Sequence, residues 1–253
     1  MNFRRKNTFV RFLAACIALS MPFAACQKSV HQDDPKASMS QKTFADAGNR
    51  PMGYWLYTPV PTRSDMPLIV YLHGGSGRGD DPGAVVAGSL PKFLYEGSVE
   101  NVPAFVLMPQ CPEGKTWEQI APAVLGMIAE VCGDYRIDRK KIALTGHSLG
   151  GSGTWRLGAA YPQTFSCVVP LSGSADLLSA PACIGMPVWA FVGSADDIVS
   201  PESSEAMVDE ILRLGGKAQL TVFQGASHFD VPDRAYKDPQ IGLLNWMARQ
   251  TKE

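Results

Sequence analysis

From about residue 54 onwards, short runs of apolar residues alternate with longer segments in which apolar residues recur every three or four positions. The short runs have the length of strands that are buried on both faces of a sheet. The longer segments have the periodicity of helices that pack against such a sheet. The pattern predicts strands at residues 54–58, 68–72, 105–108, 142–145, 167–171, 188–192 and 220–223, and helices at residues 120–131, 149–160, 203–214 and 241–250.

This alternation predicts an α/β fold with a mostly parallel central sheet and helices on both of its faces. No repeat, low-complexity segment or change of composition divides residues 46–253, so we predict a single domain there. Residues 26–45 are polar, of mixed charge and without periodicity. We expect that segment to be a tether.

Residues 1–25 follow a different pattern, in which basic residues precede an apolar run that ends in small residues. This arrangement is typical of an export signal. Phe23-Ala24-Ala25-Cys26 resembles the bacterial lipobox, in which the cysteine becomes the acylated amino terminus. We therefore predict lipidation at Cys26, which would hold the protein on a membrane surface. Export with cleavage but without lipidation is the alternative, because Phe23 stands where leucine is usual.

The charges of the chain are balanced, with a formal net charge of −1. This balance provides no basic surface for nucleic acid, so we exclude that class of partner. No uncharged apolar run reaches the length of about eighteen residues that a membrane-spanning helix requires.

Four cysteines follow the predicted signal and its Cys26, and export would make disulfides possible. Four cysteines allow three pairings, between which the sequence does not decide. Cys167 and Cys183 would close a short loop, and four buried free thiols are the alternative. The four residues are Cys111, Cys132, Cys167 and Cys183.

The segment from Gly146 to Gly150 reads Gly-His-Ser-Leu-Gly and fits the pattern G-x-S-x-G. A predicted strand runs into it and a predicted helix runs out of it. In this context the pattern forms a sharp turn that presents the serine at the edge of the sheet, and the small residues let strand and helix approach closely. We predict that Ser148 is a nucleophile.

A serine hydroxyl needs an adjacent base, and the chain has four histidines. His31 lies in the predicted tether, and His73 begins a glycine-rich loop. His147 lies inside the turn from Gly146 to Gly150, which we call the elbow. His228 directly follows the last predicted strand, where catalytic groups gather in open α/β folds. His228 is therefore the predicted base.

The base needs a carboxylate that orients it, and the order Ser, Asp, His places that carboxylate between residues 149 and 228. Asp196 follows the predicted strand at residues 188–192 and is our choice. Asp197 is the first alternative, and Asp176, which follows the preceding strand, is the second.

Backbone N–H groups must stabilise the oxyanion that forms when such a serine attacks a carbonyl. Leu149 directly follows the predicted nucleophile and is expected to supply one donor. The loop His73-Gly74-Gly75-Ser76-Gly77 is expected to supply the other, from Gly75 or alternatively from Ser76.

With these three sites in this order, the chain resembles the α/β-hydrolase family from about residue 54 to residue 247. It is similar in particular to a bacterial branch of predicted peptidases or esterases, related to polyhydroxybutyrate depolymerase-like and feruloyl-esterase-like enzymes. The segments that carry this likeness are Leu72-His73-Gly74-Gly75-Ser76-Gly77-Arg78-Gly79-Asp80-Asp81, Leu90-Pro91-Lys92-Phe93-Leu94, Met108-Pro109-Gln110-Cys111-Pro112 and Trp117.

The resemblance implies a core of eight strands, hydrolysis of carboxylic esters by a serine esterase, and no cofactor or metal. The expected partner is a small-molecule or carbohydrate-linked ester. We assign Trp117 to the wall of the substrate cleft, where it would stack on a ring, and a core tryptophan is the alternative. A peptidase or acyltransferase with the same triad, and a ligand-binding lipoprotein without catalysis, are the competing functions.

Overall fold

The computed structural model describes residues 38–252, which all belong to one compact unit. Their central strands have the apolar composition of strands that are buried on both faces of a sheet, and every residue of Leu68–Leu72, Phe105–Pro109 and Cys167–Leu171 is buried. The strands are β1 (Met39–Ala45), β2 (Pro51–Tyr57), β3 (Leu68–Leu72), β4 (Phe105–Pro109), β5 (Ile142–His147), β6 (Cys167–Leu171), β7 (Val188–Gly193) and β8 (Ala218–Phe223).

These strands form one eight-stranded sheet in the order β1-β2-β4-β3-β5-β6-β7-β8. Along the sheet, every neighbouring pair in β4-β3-β5-β6-β7-β8 is parallel. Strands β1 and β2 pair antiparallel and form one edge. Because the strands from β3 to β8 run in the same direction, the loops that follow their carboxyl ends meet at one edge of the sheet. That edge carries the residues of the predicted site.

Helices cover both faces of the sheet. One core contains buried residues of the helices Ala121–Asp134, Leu149–Ala160 and Glu202–Arg213. A second core, on the other face, contains buried residues of Ser89–Tyr95, Asp230–Lys237 and Leu243–Arg249. The predicted fold class and the eight strands are therefore confirmed. The helices are α1 (Pro82–Val85), α2 (Ser89–Tyr95), α3 (Ala121–Asp134), α4 (Leu149–Ala160), α5 (Ala180–Cys183), α6 (Glu202–Arg213), α7 (Asp230–Lys237) and α8 (Leu243–Arg249).

Strand β1 occupies the end of the segment that we predicted to be a tether. Residues Met39–Ala45 pair with β2 along its whole length, so the prediction was wrong for this part of the segment. The strand lies at the edge of the sheet and only Met39 is buried, so its sequence lacks an apolar run. The predicted signal at residues 1–25 and Cys26 lie outside the described residues.

The cysteines that follow the predicted signal and Cys26 are four buried free thiols, and the suggested Cys167–Cys183 disulfide is absent. Cys167 packs into the core that contains α2, α7 and α8, whereas Cys183 packs into the core on the other face of the sheet. The sheet therefore separates the two sulfur atoms, although the residues are close in sequence. Within residues 38–252, no helix is long and apolar enough to cross a membrane.

Candidate active site

Ser148 lies in the turn between β5 and α4. Its φ is 60° and its ψ is −118°, a conformation that few residues other than glycine adopt. Its backbone N–H donates to the carbonyl of Leu171 at the end of β6, at 3.0 Å. Backbone strain of this kind is concentrated at functional sites, where the surrounding structure enforces it. The predicted turn thus has the geometry that the G-x-S-x-G pattern requires.

Glycines allow the two elements of this turn to approach each other. A Cβ atom added to Gly150 would overlap the carbonyl oxygen of Leu72, and one added to Gly146 would meet the carbonyl oxygen of Gly150. Both obstacles are backbone atoms, which no side-chain rotation can remove. The contact between β3, β5 and α4 therefore depends on glycine at both positions.

Gly150→Ala is expected to lower the free energy of unfolding by about 3 kcal/mol or more, because backbone must move to admit the methyl group. Urea denaturation measures the effect. Gly133→Ala is the matched control, since a Cβ at Gly133 in α3 meets nothing within 4 Å. That control is expected to be neutral or to stabilise by up to about 1 kcal/mol. Equal stability of the two variants would contradict the prediction.

The loops after β7 and β8 bring Asp196 and His228 together. Nδ1 of His228 lies 2.8 Å from Oδ2 of Asp196, and their side chains are 2% and 1% exposed. The other carboxylate oxygen, Oδ1, accepts from the N–H groups of Ile198 at 3.0 Å and Val199 at 2.9 Å. Burial opposes ionisation, but these hydrogen bonds outweigh it and lower the pKa of Asp196.

The other aspartates near this edge have different surroundings. Asp197 is exposed to solvent. The Asp176 side chain accepts from the N–H of Leu178 and caps a short 3-10 turn. Asp230 accepts from the backbone and the hydroxyl of Ser227. Of the aspartates weighed from the sequence, the structure brings Asp196 to the His228 ring.

His73 organises the glycine-rich loop that follows β3. Its Nδ1 donates to the carbonyl of Gly74 at 2.7 Å, and its Nε2 accepts from the N–H of Cys111 at 3.0 Å. The loop continues as a 3-10 turn, Gly75–Gly77. A Cβ atom at Gly74 would lie 3.5 Å from the Cβ of Ser148, so this loop borders the elbow.

Leu149 is the first residue of α4. The first N–H groups of a helix have no partner within the helix and carry the positive end of its dipole. The first turn of α4 and the glycine-rich loop therefore both border Ser148. These are the two segments from which the sequence predicted an oxyanion site.

The assignment of Trp117 to the wall of a cleft was wrong. Its side chain is completely buried, and its Nε1 donates to the carbonyl of His73 at 3.2 Å. The indole packs edge-on against the His73 ring, with centroids 4.8 Å apart, and fills the space beside Gly153. Trp117 therefore supports the glycine-rich loop from within the core and has no surface that a substrate can contact.

Gln110 also braces this loop, and sequence reasoning did not identify it. The amide Nε2 donates to the carbonyls of Gly77 at 3.2 Å and Asp81 at 2.7 Å. The sequence placed Gln110 directly after the strand β4 and within a segment of the family likeness, but neither observation indicates a contact with the neighbouring loop. A glutamine there does not reveal its role until the path of the neighbouring loop is known.

His147 packs between the elbow and the predicted base. Its Nε2 donates to the carbonyl of His228 at 2.9 Å, and the two imidazole rings lie 4.6 Å apart. Burial, and then the neighbouring His228 ring, lower the pKa of His147 to about 4. Burial likewise lowers the pKa of His73 to about 4. Both histidines are therefore neutral at physiological pH.

The stability of the fold is expected to fall as the pH drops from about 6.5 towards 4. The folded pKa of His73 and His147 lies below the unfolded value of about 6.5, so the unfolded chain binds protons first. Their contribution to stability is complete above that unfolded value and is lost as the pH approaches the folded one. Near pH 4.5, each loss is on the order of 2 kcal/mol.

Urea denaturation at about pH 7.5 and pH 4.5 measures this loss. His147→Gln keeps a donor for the His228 carbonyl but has no titrating ring, so it is expected to lose less stability than the wild type between the two pH values. The same loss in both proteins would show that His147 does not titrate as described.

Within residues 38–252, no three or more His, Cys, Asp or Glu side chains are grouped so that they could hold a metal ion. At this edge of the sheet the structure gathers a serine in a strained turn, an imidazole paired with a carboxylate, and the first N–H groups of a helix. These groups are sufficient for nucleophilic catalysis at a carbonyl.

Curated relatives of this chain are acetylxylan esterases. The chain is 27% identical over 184 residues to a probable acetylxylan esterase A from Aspergillus niger and, to the same extent, to acetylxylan esterase A from Aspergillus ficuum. Each match covers 66% of this chain and 56% of the relative. The chain therefore spans little more than half the length of these curated relatives.

Solved structures share the fold. A thermostable esterase is 26% identical, with a TM-score of 0.75, over 85% of this chain and 64% of its own. The feruloyl esterase module from Clostridium thermocellum, as an S954A mutant complexed with sinapinate, has a TM-score of 0.62 over 85% of this chain and 89% of its own. At 14% identity, that second likeness shows the fold alone.

The family of dienelactone hydrolases matches residues 105–243, from the first residue of β4 to the first residue of α8. This range contains the elbow with Ser148 and the loops that carry Asp196 and His228. Because the match takes in more than half of the chain, the protein belongs to the dienelactone hydrolase family.

Proposed function

We propose that this protein is a serine hydrolase of carboxylic esters, in which Ser148 is the nucleophile, His228 the base and Asp196 the group that orients the base. The observation that carries the proposal is the buried contact of 2.8 Å between Nδ1 of His228 and Oδ2 of Asp196. Ser148 lies in a strained turn at the same edge of the sheet. The kinship with acetylxylan esterases supports the same chemistry.

In this mechanism, His228 takes the proton of the Ser148 hydroxyl as the oxygen attacks the ester carbonyl. Asp196 accepts from Nδ1, which leaves Nε2 free to act as the base. It also stabilises the imidazolium that forms. His228 then protonates the departing alcohol. Water activated by the same imidazole hydrolyses the acyl group from Ser148.

The N–H groups of Gly75 and Leu149 would stabilise the oxyanion of the tetrahedral intermediate. Leu149 offers the first N–H of α4, where the helix dipole favours negative charge. Gly75 begins the 3-10 turn of the glycine-rich loop, and Ser76 follows it as the alternative donor. Each such donor increases the rate by a factor on the order of 10²–10³.

We propose an ester linked to a carbohydrate as the substrate. The support is the similarity to acetylxylan esterases, which extends over 66% of this chain. Residues 1–37 lie outside the described part of the structure, so export and acylation at Cys26 rest on the sequence alone. Mass spectrometry of the mature amino terminus tests them: an acylated Cys26 supports the anchor, and an unmodified terminus contradicts it.

The test of the function compares a p-nitrophenyl ester with a peptide p-nitroanilide, which release a similar aromatic leaving group. Ester turnover with little peptide turnover supports the proposal. A fluorophosphonate probe, followed by peptide mapping, is expected to label Ser148. Turnover of the peptide instead, or transfer of the acyl group to an added alcohol without hydrolysis, would favour the peptidase or acyltransferase alternatives. Failure of the probe to label Ser148 would favour the ligand-binding alternative without catalysis.

A further inference from the structure

A cavity of about 110 Å³ lies beside the candidate active site. Gly74 and Ser76 line it, on either side of the predicted oxyanion donor Gly75. His147, which precedes Ser148, and Phe229, which follows His228, also line it. The cavity therefore borders three segments of the candidate site: the glycine-rich loop, the turn that holds Ser148, and the loop that holds His228.

The volume of this cavity limits the size of the group that it can hold. An apolar cavity of about 150 Å³ holds one benzene molecule. By proportion, about 110 Å³ holds roughly four non-hydrogen atoms. Beyond the carbonyl, which faces the oxyanion donors in the proposed mechanism, the acetyl, propionyl and butyryl groups carry alkyl chains of one to three carbon atoms, and these chains fit within this limit. A feruloyl group or a long fatty acyl chain has several times that number of atoms and does not fit.

The walls of the cavity differ in how deeply they are buried. Tyr71 and Val85 form an inner wall that belongs to the buried core, and the Tyr71 ring packs edge-on against Tyr236 with centroids 6.2 Å apart. Phe229 forms part of the outer wall and is 70% exposed. Its ring stands edge-on to His228, with centroids 5.2 Å apart. The outer wall can therefore be removed without disturbing the core.

The two halves of an ester make different demands on the site. The alcohol takes a proton from His228 and must leave before water can enter. The acyl group stays bound to Ser148 through both steps, next to the donors that stabilise the oxyanion. A walled cavity that borders the glycine-rich loop suits the group that stays, because its contacts persist in both transition states.

We propose that this cavity is the acyl-binding pocket, that it selects short acyl groups of acetyl to butyryl size, and that Phe229 sets the upper limit. The inference rests on the proposed ester hydrolysis and names its acyl group. Ala84, in α1, also lines the cavity and offers a position from which a larger side chain would fill it.

The experiment measures kcat/KM for p-nitrophenyl acetate, butyrate and octanoate, so that only the acyl group changes. For the wild type, the value for octanoate is expected to be about tenfold or more below that for butyrate. Phe229→Ala is expected to raise the octanoate-to-acetate ratio about tenfold. Ala84→Leu is expected to lower the butyrate-to-acetate ratio by a similar factor, while turnover of acetate shows that the variant is folded.

Leu178→Ala is the matched control, because Leu178 is an exposed apolar residue in the loop after β6 and does not line the cavity. Its ratios are expected to equal those of the wild type. If both cavity variants hydrolyse acetate with the same octanoate-to-acetate and butyrate-to-acetate ratios as the wild type, the inference is wrong. The proposed ester hydrolysis would still stand. If no ester is hydrolysed by the wild type, the proposed function fails and the acyl pocket with it.

A second series holds the acyl group constant and varies the alcohol of acetyl esters. If Phe229→Ala changes the size limit of the alcohol and not that of the acyl group, the cavity holds the alcohol and the inference is wrong. An unchanged alcohol profile together with a changed acyl profile supports it.

Discussion

Ser148→Ala is expected to reduce kcat/KM for a short p-nitrophenyl ester by about 10⁴-fold or more. Without the hydroxyl, no acyl-enzyme forms, and the only catalysis left is stabilisation of the oxyanion by the backbone donors. Binding of the ester is expected to change little, because the loops that form the site remain. The measurement is steady-state kinetics of the purified variant, with the wild type assayed in the same preparation series.

The control for this variant is a thermal denaturation experiment that shows whether it is folded. Ser148 has a φ of 60°, and alanine is strained there in the same way as serine, so the thermal midpoint is expected to stay close to that of the wild type. A folded Ser148→Ala variant that kept a tenth of the wild-type activity would show that another group is the nucleophile. The fluorophosphonate probe is expected to label the wild type and not this variant.

Asp196→Asn is expected to lower kcat by about 10³–10⁴-fold with little change in KM. Asp196 accepts from Nδ1 of His228 and so holds the tautomer in which Nε2 is the base. An asparagine amide can donate to Nδ1, which stabilises the opposite tautomer and removes the charge that stabilises the imidazolium. Kinetics at saturating substrate separate this loss from a loss of binding.

The neighbouring aspartate provides the matched control. Asp197 has the same chemistry one position later but is exposed, and Asp197→Asn is expected to change kcat by less than about twofold. Large losses in both variants would indicate that the loop, rather than one carboxylate, is required. A larger loss in Asp197→Asn than in Asp196→Asn would reverse the assignment.

The sequence predicted most of the sheet because its central strands are buried on both faces. Strands β3 and β6 have the predicted bounds, and their residues are all buried. Strand β1 was missed for the opposite reason. It lies at the edge, where its partner β2 supplies hydrogen bonds on one side only, and four consecutive polar residues at its centre leave it without an apolar run. Local sequence does not distinguish such a strand from a linker.

The candidate site could be predicted as far as chemistry and chain order allow. Ser148 followed from a local pattern, and His228 followed because only four histidines were available. The wall of the site could not be predicted in this way. Trp117 directly follows a loop yet is buried, because α4 has a glycine at position 153 that leaves room for the indole. That fit between two distant segments exists only once the chain is folded.

The four buried thiols determine how the folding of this domain depends on its redox environment. Burial raises the pKa of Cys111 and Cys183 to about 11, so their reactive thiolate forms are scarce at neutral pH. No disulfide is present among residues 38–252, and the sheet separates Cys167 from Cys183. This part of the protein therefore reaches its native state without an oxidising catalyst, and a reducing medium leaves its covalent structure unchanged.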